Sequence, residues 1–330
     1  IPQLQPDVVT LDIQMPKMDG LATLEAVLQK YSLPVLMVSS LTQRGADITF
    51  QALDQGAIDY IPKPENAGQL VSAADELLRK IRLAAGADVE RILRIRRERK
   101  QRQAARPKIL PHKAADDSQT ASLADKCIAL GISTGGPPAL SVLFQDLQPP
   151  LPPIVIVQHM PPHFTKPLSW RLDSISPLSI KEAADGDLLR PNHVFIAPGG
   201  FHLELRKLGP QVKVRIFDAP PVSGHKPSVD VMMQSAAKIF GPRCVGVIMT
   251  GMGRDGADGC KAIRAAGGYV FGQDEASSDV YGMNKVAFVE GGVDRQFSLD
   301  EGARLLMEYV RKNFLKSSAP LSSSVSASIG

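Results

Sequence analysis

Apolar positions recur along this chain with two periods, and the alternation between them lays out its elements. Residues 7–11 (DVVTL) are a short apolar run ending at Asp12, followed by the turn-rich QMPKMDG. LATLEAVLQKY then carries apolar residues at helical spacing, and PVLMVSS (34–40) is a β-branched run. A helical stretch around DITFQALDQGA, a short strand IDYIP and a helical QLVSAADELLRKIRLAA complete the series. Strands alternating with helices predict a parallel α/β sheet over residues 1–83.

From 84 to 124 the periodicity dissolves. Seven of the twelve residues from Arg91 to Arg102 are Lys or Arg, which predicts a solvated linker, helical at its start. A second α/β pattern spans 125–315. Its predicted strands are CIALGIS (127–133), PIVIVQH (153–159), HVFIAPG (193–199), VKVRIF (212–217), CVGVIMTG (244–251) and YVFGQD (269–274), and HLELRKLGPQVKVRIF is expected as a hairpin. Residues 316–330 are Ser-rich and expected to form a disordered tail.

Composition narrows the class. With 330 residues, 44% hydrophobic and 22% charged, the chain can bury two globular cores. The net charge of +4 is mild and does not argue for nucleic acid. Cys127, Cys244 and Cys260 are widely spaced with no C-x-x-C pair, which fits buried thiols in a reducing compartment better than disulfides or zinc. No apolar run approaches the ~18 residues that span a bilayer, and no signal peptide opens the chain, so a cytoplasmic protein is expected.

Open α/β sheets place their chemistry at the C-terminal ends of strands. In the first domain those ends carry Asp12, Ser39 and Lys63. A carboxylate, a hydroxyl and an ammonium on neighbouring strand ends can accept a phosphoryl group: the carboxylate attacks, and the other two bind the new phosphate oxygens. In this order they resemble a two-component receiver domain. The resemblance makes Asp12 the phosphoacceptor, Ser39 the switch hydroxyl and Lys63 the phosphate-binding lysine. The chain opens at Ile1, eleven residues before Asp12. That leaves no room for a receiver's first strand with its paired acidic residues, the following helix and the second strand. The expectation is a receiver lacking its N-terminal part, with Asp12 as a Mg²⁺ ligand only when the acidic pair is present.

In the second domain GISTGG places Ser133 at a strand end, in a G-x-S-x-G pattern. A serine needs a base, and the base needs an orienting group. Of six histidines, His159 ends the strand directly after the one carrying Ser133, and consecutive parallel strands usually lie side by side. His112 falls in the linker, His193 opens a strand at the wrong end of the sheet, and His163 lies beyond the strand end. His202 and His225 fall in loops or the hairpin, where surface roles are expected. For the orienting carboxylate, Asp255 follows a strand of the same sheet, and Asp274, Asp185, Asp187 and Asp230 compete with it.

GISTGGPPAL, VQHMPPHFT, IAPGG with HLEL, GHKPSVDVMMQSAA and MTGMGRDGADG, in this order, resemble the effector domain of the CheB family, the chemotaxis methylesterases. With a receiver ahead, the resemblance covers nearly everything from Asp7 to about Leu315 apart from the linker. It implies Ser133 as nucleophile, His159 as general base and Asp255 as the carboxylate that holds His159. Thr134, Gly135, Met252 and Thr165 become oxyanion or substrate-site candidates, with Gly136 beside them. The order Ser, His, Asp differs from that of α/β-hydrolases, so the expected fold is α/β: a truncated flavodoxin-like receiver plus a Rossmann-like, mostly parallel doubly wound methylesterase domain. The implied reaction is hydrolysis of glutamate γ-methyl esters, with deamidation of glutamines, in methyl-accepting chemotaxis receptors. A chemotaxis histidine kinase is the implied phosphodonor. No cofactor is expected for catalysis, and Mg²⁺ only for receiver phosphorylation. Two rival readings find little support. ISTGG lacks G-x-G-x-x-G and a P-loop lysine, and no nucleic-acid-reading motif follows the basic run.

Overall fold

Two parallel sheets, each built from strands whose alternate residues feed opposite faces, carry the chain's chemistry at their C-terminal edges. The computed structural model describes residues 1–15, 18–40, 42–64, 70–104 and 121–315.

The first sheet has three parallel strands, β1 (Val9–Asp12), β2 (Val35–Ser39) and β3 (Asp59–Pro62), in that order. Helices α1 (Gly20–Lys30), α2 (Gln43–Gln55), α3 (Leu70–Ala85) and α4 (Val89–Ala104) accompany it. The first two begin where the chain supplies a cap: Asp19 accepts from the Ala22 N–H and Thr42 from the Gly45 N–H. Residues 84–104, expected as a solvated linker helical only at its start, instead extend the receiver core. Val89, Ile92 and Leu93 lie at i, i+3 and i+4, and with Ala84 they are buried against Leu36, Ile58 and Ile61. Glu90 and Arg91 between them, and the arginines that follow, hide that face in the sequence. Residues 105–120 and the expected tail 316–330 lie outside the described residues.

The second sheet has seven strands, all parallel: β4 (Cys127–Ile132), β5 (Ile154–Gln158), β6 (Ser179–Glu182), β7 (His193–Ile196), β10 (Cys244–Ile248), β11 (Tyr269–Gln273) and β12 (Arg295–Phe297). Their order is β12-β11-β10-β4-β5-β7-β6. Between them β8 (His202–Leu208) and β9 (Gln211–Phe217) form a separate antiparallel hairpin, as expected. The two strands absent from the sequence reading, β6 and β12, are the sheet's edges, where one side is open and polar residues such as Lys181 and Arg295 are tolerated.

Along β4, Ile128, Leu130 and Ile132 enter one core, shared with α5 (Gly136–Asp146), α6 (Thr165–Ile175) and α10 (Leu299–Asn313). Cys127 and Ala129 enter the other, shared with α7 (Val229–Phe240), α8 (Ala257–Ala265) and α9 (Met283–Val289). The chain leaves β4 toward β5 on one side, while β10 pairs with β4 on the other. The crevice where strand order reverses is the place doubly wound sheets use for ligands.

The domains meet through an apolar seam. Phe50 and Leu53 of α2 belong to the same core as Leu140 and Phe164, and the Tyr60 and Phe164 rings lie 4.6 Å apart. Polar ties flank it: Arg171 to Asp54, Arg91 to the Glu275 and Ser278 carbonyls, and Arg96 to Asp279 at 2.6 Å.

Candidate active site

Ser133 is the first residue beyond β4, and its backbone is held on three sides. Its N–H donates to the Thr250 carbonyl (3.0 Å), and its carbonyl accepts from the Gly136 N–H (2.8 Å) and Gln158 Nε2 (3.0 Å). Gly135, at φ +79°, turns the chain into α5, with Asp279 so close that a Cβ would lie 2.7 Å from its carboxylate. The glycines after Ser133 therefore accommodate neighbouring side chains. The Gly136 N–H is already bonded to the Ser133 carbonyl, which removes it from the oxyanion candidates. Those of Thr134 and Gly135 donate to no acceptor among the described residues.

His159 follows β5 in register with Ser133, its N–H donating to the Ile132 carbonyl (3.0 Å). Its Nε2 lies 2.8 Å from Asp255 Oδ2, while Nδ1 is buried with no partner among the described residues. Asp255 is fully buried. Burial opposes its charge, but the His159 hydrogen bond and charge, with the Asp230 and Val229 N–H groups, outweigh that and hold its pKa at about 2. An ionised carboxylate only accepts, so Nε2 is the ring nitrogen that donates to Asp255, and Nδ1 is the one left without a partner. Ser133 and His159 line one cavity of about 670 Å³. The Ser133 hydroxyl makes no hydrogen bond among the described residues, a looseness common before substrate binds.

The competing carboxylates are committed elsewhere. Asp274 accepts from the Ser277 N–H and hydroxyl, Asp185 from the Ile216 N–H, and Asp187 from the Ala184 N–H and Lys181. Asp230 lies near Asp255 but turns to the N–H groups of Gly256 and Gly259.

Three expectations are corrected. His225, expected at the surface, stacks on His159 with ring centroids 3.8 Å apart and planes 7° apart, and it lines the cavity. Burial and the neighbouring His159 lower its pKa to about 3, with Asp255 opposing and Arg79 assisting. Only its place in GHKP, just before α7, hinted at this. His202 is likewise buried, bonded to the Pro220 carbonyl and the Ser228 N–H, so it too departs from a surface role. Thr165 does not line the cavity: its buried hydroxyl joins Glu182 to the Gly199 N–H, holding α6 against β6. Met252 stands differently. Ser133 is bonded to Thr250, and a Cβ on Gly251 would lie 2.7 Å from the Ser133 Cβ, so its loop runs beside Ser133. Receiver Arg79 approaches the Met252 sulfur at 3.9 Å.

In the first domain Lys63 Nζ contacts Asp12 Oδ2 at 2.5 Å. Burial opposes the Asp12 charge, but the Lys63 hydrogen bond and charge and the Gln14 and Ile13 N–H groups together outweigh it and lower its pKa. Ser39 ends β2 as expected, with its hydroxyl bonded away from this pair. It is fully buried, accepts from the Thr49 hydroxyl (2.8 Å) and faces the Gly45 carbonyl. Among the described residues no three His, Cys, Asp or Glu side chains converge as metal ligands, and no helix is long and apolar enough to cross a membrane.

The chain matches known proteins along both domains. Residues 128–306 match the family described as CheB methylesterase, and residues 1–75 the response regulator receiver domain. The protein-glutamate methylesterase/protein-glutamine glutaminase of Syntrophotalea carbinolica is 44% identical over 310 residues, covering 93% of this chain and 85% of the relative. That of Archaeoglobus fulgidus is 41% identical over 293 residues, covering 88% and 81%. The catalytic domain of the Thermotoga maritima CheB methylesterase superposes with a TM-score of 0.55 at 39% identity, covering 56% of this chain and 98% of that one. With the crevice that carries Ser133 and a receiver packed beside it, the chain belongs to the CheB methylesterase family.

Proposed function

We propose that this enzyme hydrolyses glutamate γ-methyl esters, and deamidates glutamines, in methyl-accepting chemotaxis receptors, with Ser133 as nucleophile. The observation that carries this reading is the His159 imidazole, bonded through Nε2 to an ionised Asp255, with Nδ1 unpartnered among the described residues and the residue lining the same cavity as Ser133. Nδ1 takes the Ser133 proton as Oγ attacks the ester carbonyl. The tetrahedral oxyanion takes hydrogen bonds from the free N–H groups of Thr134 and Gly135 and from the Met252 loop, favoured by the N-terminus of α5. His159 returns the proton to the leaving methoxide, and methanol departs. Water, deprotonated by His159, then releases glutamate from the acyl-enzyme. A glutamine substrate follows the same course with ammonia leaving. The two ring nitrogens are used in the opposite sense to the serine-protease triad, where Nδ1 faces the aspartate.

Control is proposed through Asp12, phosphorylated by a chemotaxis histidine kinase in the cytoplasm. Receiver side chains Asp59, Arg79 and Lys80 line the same cavity as Ser133, so the docked receiver restricts substrate entry. Asp12 alone, paired with Lys63, does not make a Mg²⁺ site among the described residues. The test is methanol release from methylated receptor. Ser133→Ala is expected to lower it by ~10³-fold or more with the fold intact, and substantial residual activity removes Ser133 from the reaction.

A further inference from the structure

Asp230 and Asp255 exchange helix termini. The Asp255 carboxylate accepts from the first N–H groups of α7, Val229 at 2.7 Å and Asp230 at 3.0 Å, and from the Ser228 hydroxyl at 2.8 Å. In return the Asp230 carboxylate accepts from Gly256 at 2.9 Å and Gly259 at 2.7 Å, at the start of α8. The N-cap of α8 is Gly256, which has no side chain to satisfy the helix's first donors. Asp230 supplies that cap from the neighbouring helix.

We propose that Asp230 is a positioning residue for the hydrolysis, aiming Asp255 at His159 through the Gly256 N–H. The inference rests on the Ser133–His159–Asp255 reading. Gly256 follows Asp255 directly, so fixing its N–H fixes the peptide plane from which the Asp255 side chain projects. Asp255 Oδ2 is shared between His159 Nε2 and the Val229 N–H, and rotation about that plane breaks both contacts. Asp230 is itself buried, at 3% exposure, and does not line the cavity, so it acts without touching substrate. Its presence is costly. Burial pushes its pKa up to about 6, and the Asp255 charge adds to this against the pull of the Gly259 and Gly256 N–H groups. An apolar residue would avoid that cost, but it would leave two buried donors of α8 unpaired.

The experiment measures kcat and KM for methanol release by the full chain acting on methylated receptor. Asp230→Ala is expected to lower kcat about 10–100-fold with KM unchanged, as for outer partners that orient a functional ligand. Asp230→Asn keeps a carbonyl oxygen for both N–H groups and is expected to recover most of kcat. Asp230→Glu keeps the charge but displaces its oxygens, and is expected to recover less than Asn. Glu exceeding Asn would assign a role through charge and overturn the proposal. So would an Ala variant within about twofold of wild type, or a loss confined to KM. If the Ala variant does not fold, the order of the two conservative variants decides. Asp255→Asn in the same assay keeps the two readings apart. If it stays fully active, the triad fails; if it is inactive while Asp230→Ala is unaffected, only the role of Asp230 fails.

Discussion

The Thr134 hydroxyl donates to Asp59 Oδ2 at 2.8 Å, joining the residue next to Ser133 to the first residue of receiver strand β3. The same strand leads directly to Lys63, whose ammonium holds Asp12. One short segment thus touches the Ser133 loop at one end and the proposed phosphorylation site at the other. Asp59→Ala removes the tie, while Lys80 keeps Glu76 as a partner. A buried hydrogen bond to a charge contributes about 1.5–3 kcal/mol, so weaker docking is expected to raise basal methanol release roughly tenfold. An unchanged or lower rate would show that this contact does not restrain the enzyme.

Arg96 of α4 pins three parts of the chain. It donates to the Leu53 and Ala57 carbonyls of the receiver and to Asp279 beside Gly135, in a nearly buried ion pair. Arg96→Ala strands the Asp279 carboxylate at the interface. Breaking such a pair costs about 3–5 kcal/mol, so the urea midpoint is expected to fall and basal activity to rise further than in Asp59→Ala. A midpoint equal to wild type counts against the pin.

Gly251 passes against Ser133, and a Cβ there would lie 2.6 Å from the Met283 sulfur and 2.7 Å from the Ser133 Cβ. Gly251→Ala is expected to push the Thr250–Met252 loop off Ser133, the proposed nucleophile. A displacement near 1 Å at a reacting group costs on the order of 10²-fold in rate. Steady-state kinetics with circular dichroism checks this: kcat should fall while helix content holds.

His225 makes the stability acid-sensitive. Its folded pKa of about 3 lies below the ordinary 6.5, so as pH falls the unfolded chain takes up the proton first. Its contribution is therefore complete above about pH 6.5 and drains away toward pH 3. His225→Phe keeps a ring and removes the titration. Between pH 7 and pH 5 the wild-type chain is expected to lose about 1–2 kcal/mol more than this variant in urea unfolding. Equal losses would contradict the buried neutral imidazole.

Much of the candidate site was legible because parallel strands deliver their last residues to one edge. The β-branched runs before Asp12, Ser133 and His159 mark those edges without any tertiary information. Asp255 was legible only as one of five carboxylates, because choosing among them depends on which helix N-terminus each one meets. The stretch Val89–Leu93 was misread because Glu90 and Arg91 interrupt it and a basic run follows, and its apolar face matters only once Leu36 and Ile58 lie opposite it.

The sequence by itself determined two α/β units, the strand ends that hold reactive groups, and Ser133 with His159 on adjacent strands. Tertiary structure alone decided which nitrogen of His159 meets Asp255, that His225 stacks on His159, that Ser39 turns inward to Thr49, and that Asp59 reaches Thr134. Strand and helix periods are local and repeat every few residues, so a chain displays them in its pattern. The direction of a side chain depends on packing between residues far apart in sequence, and it exists only when both sides of that contact are in place.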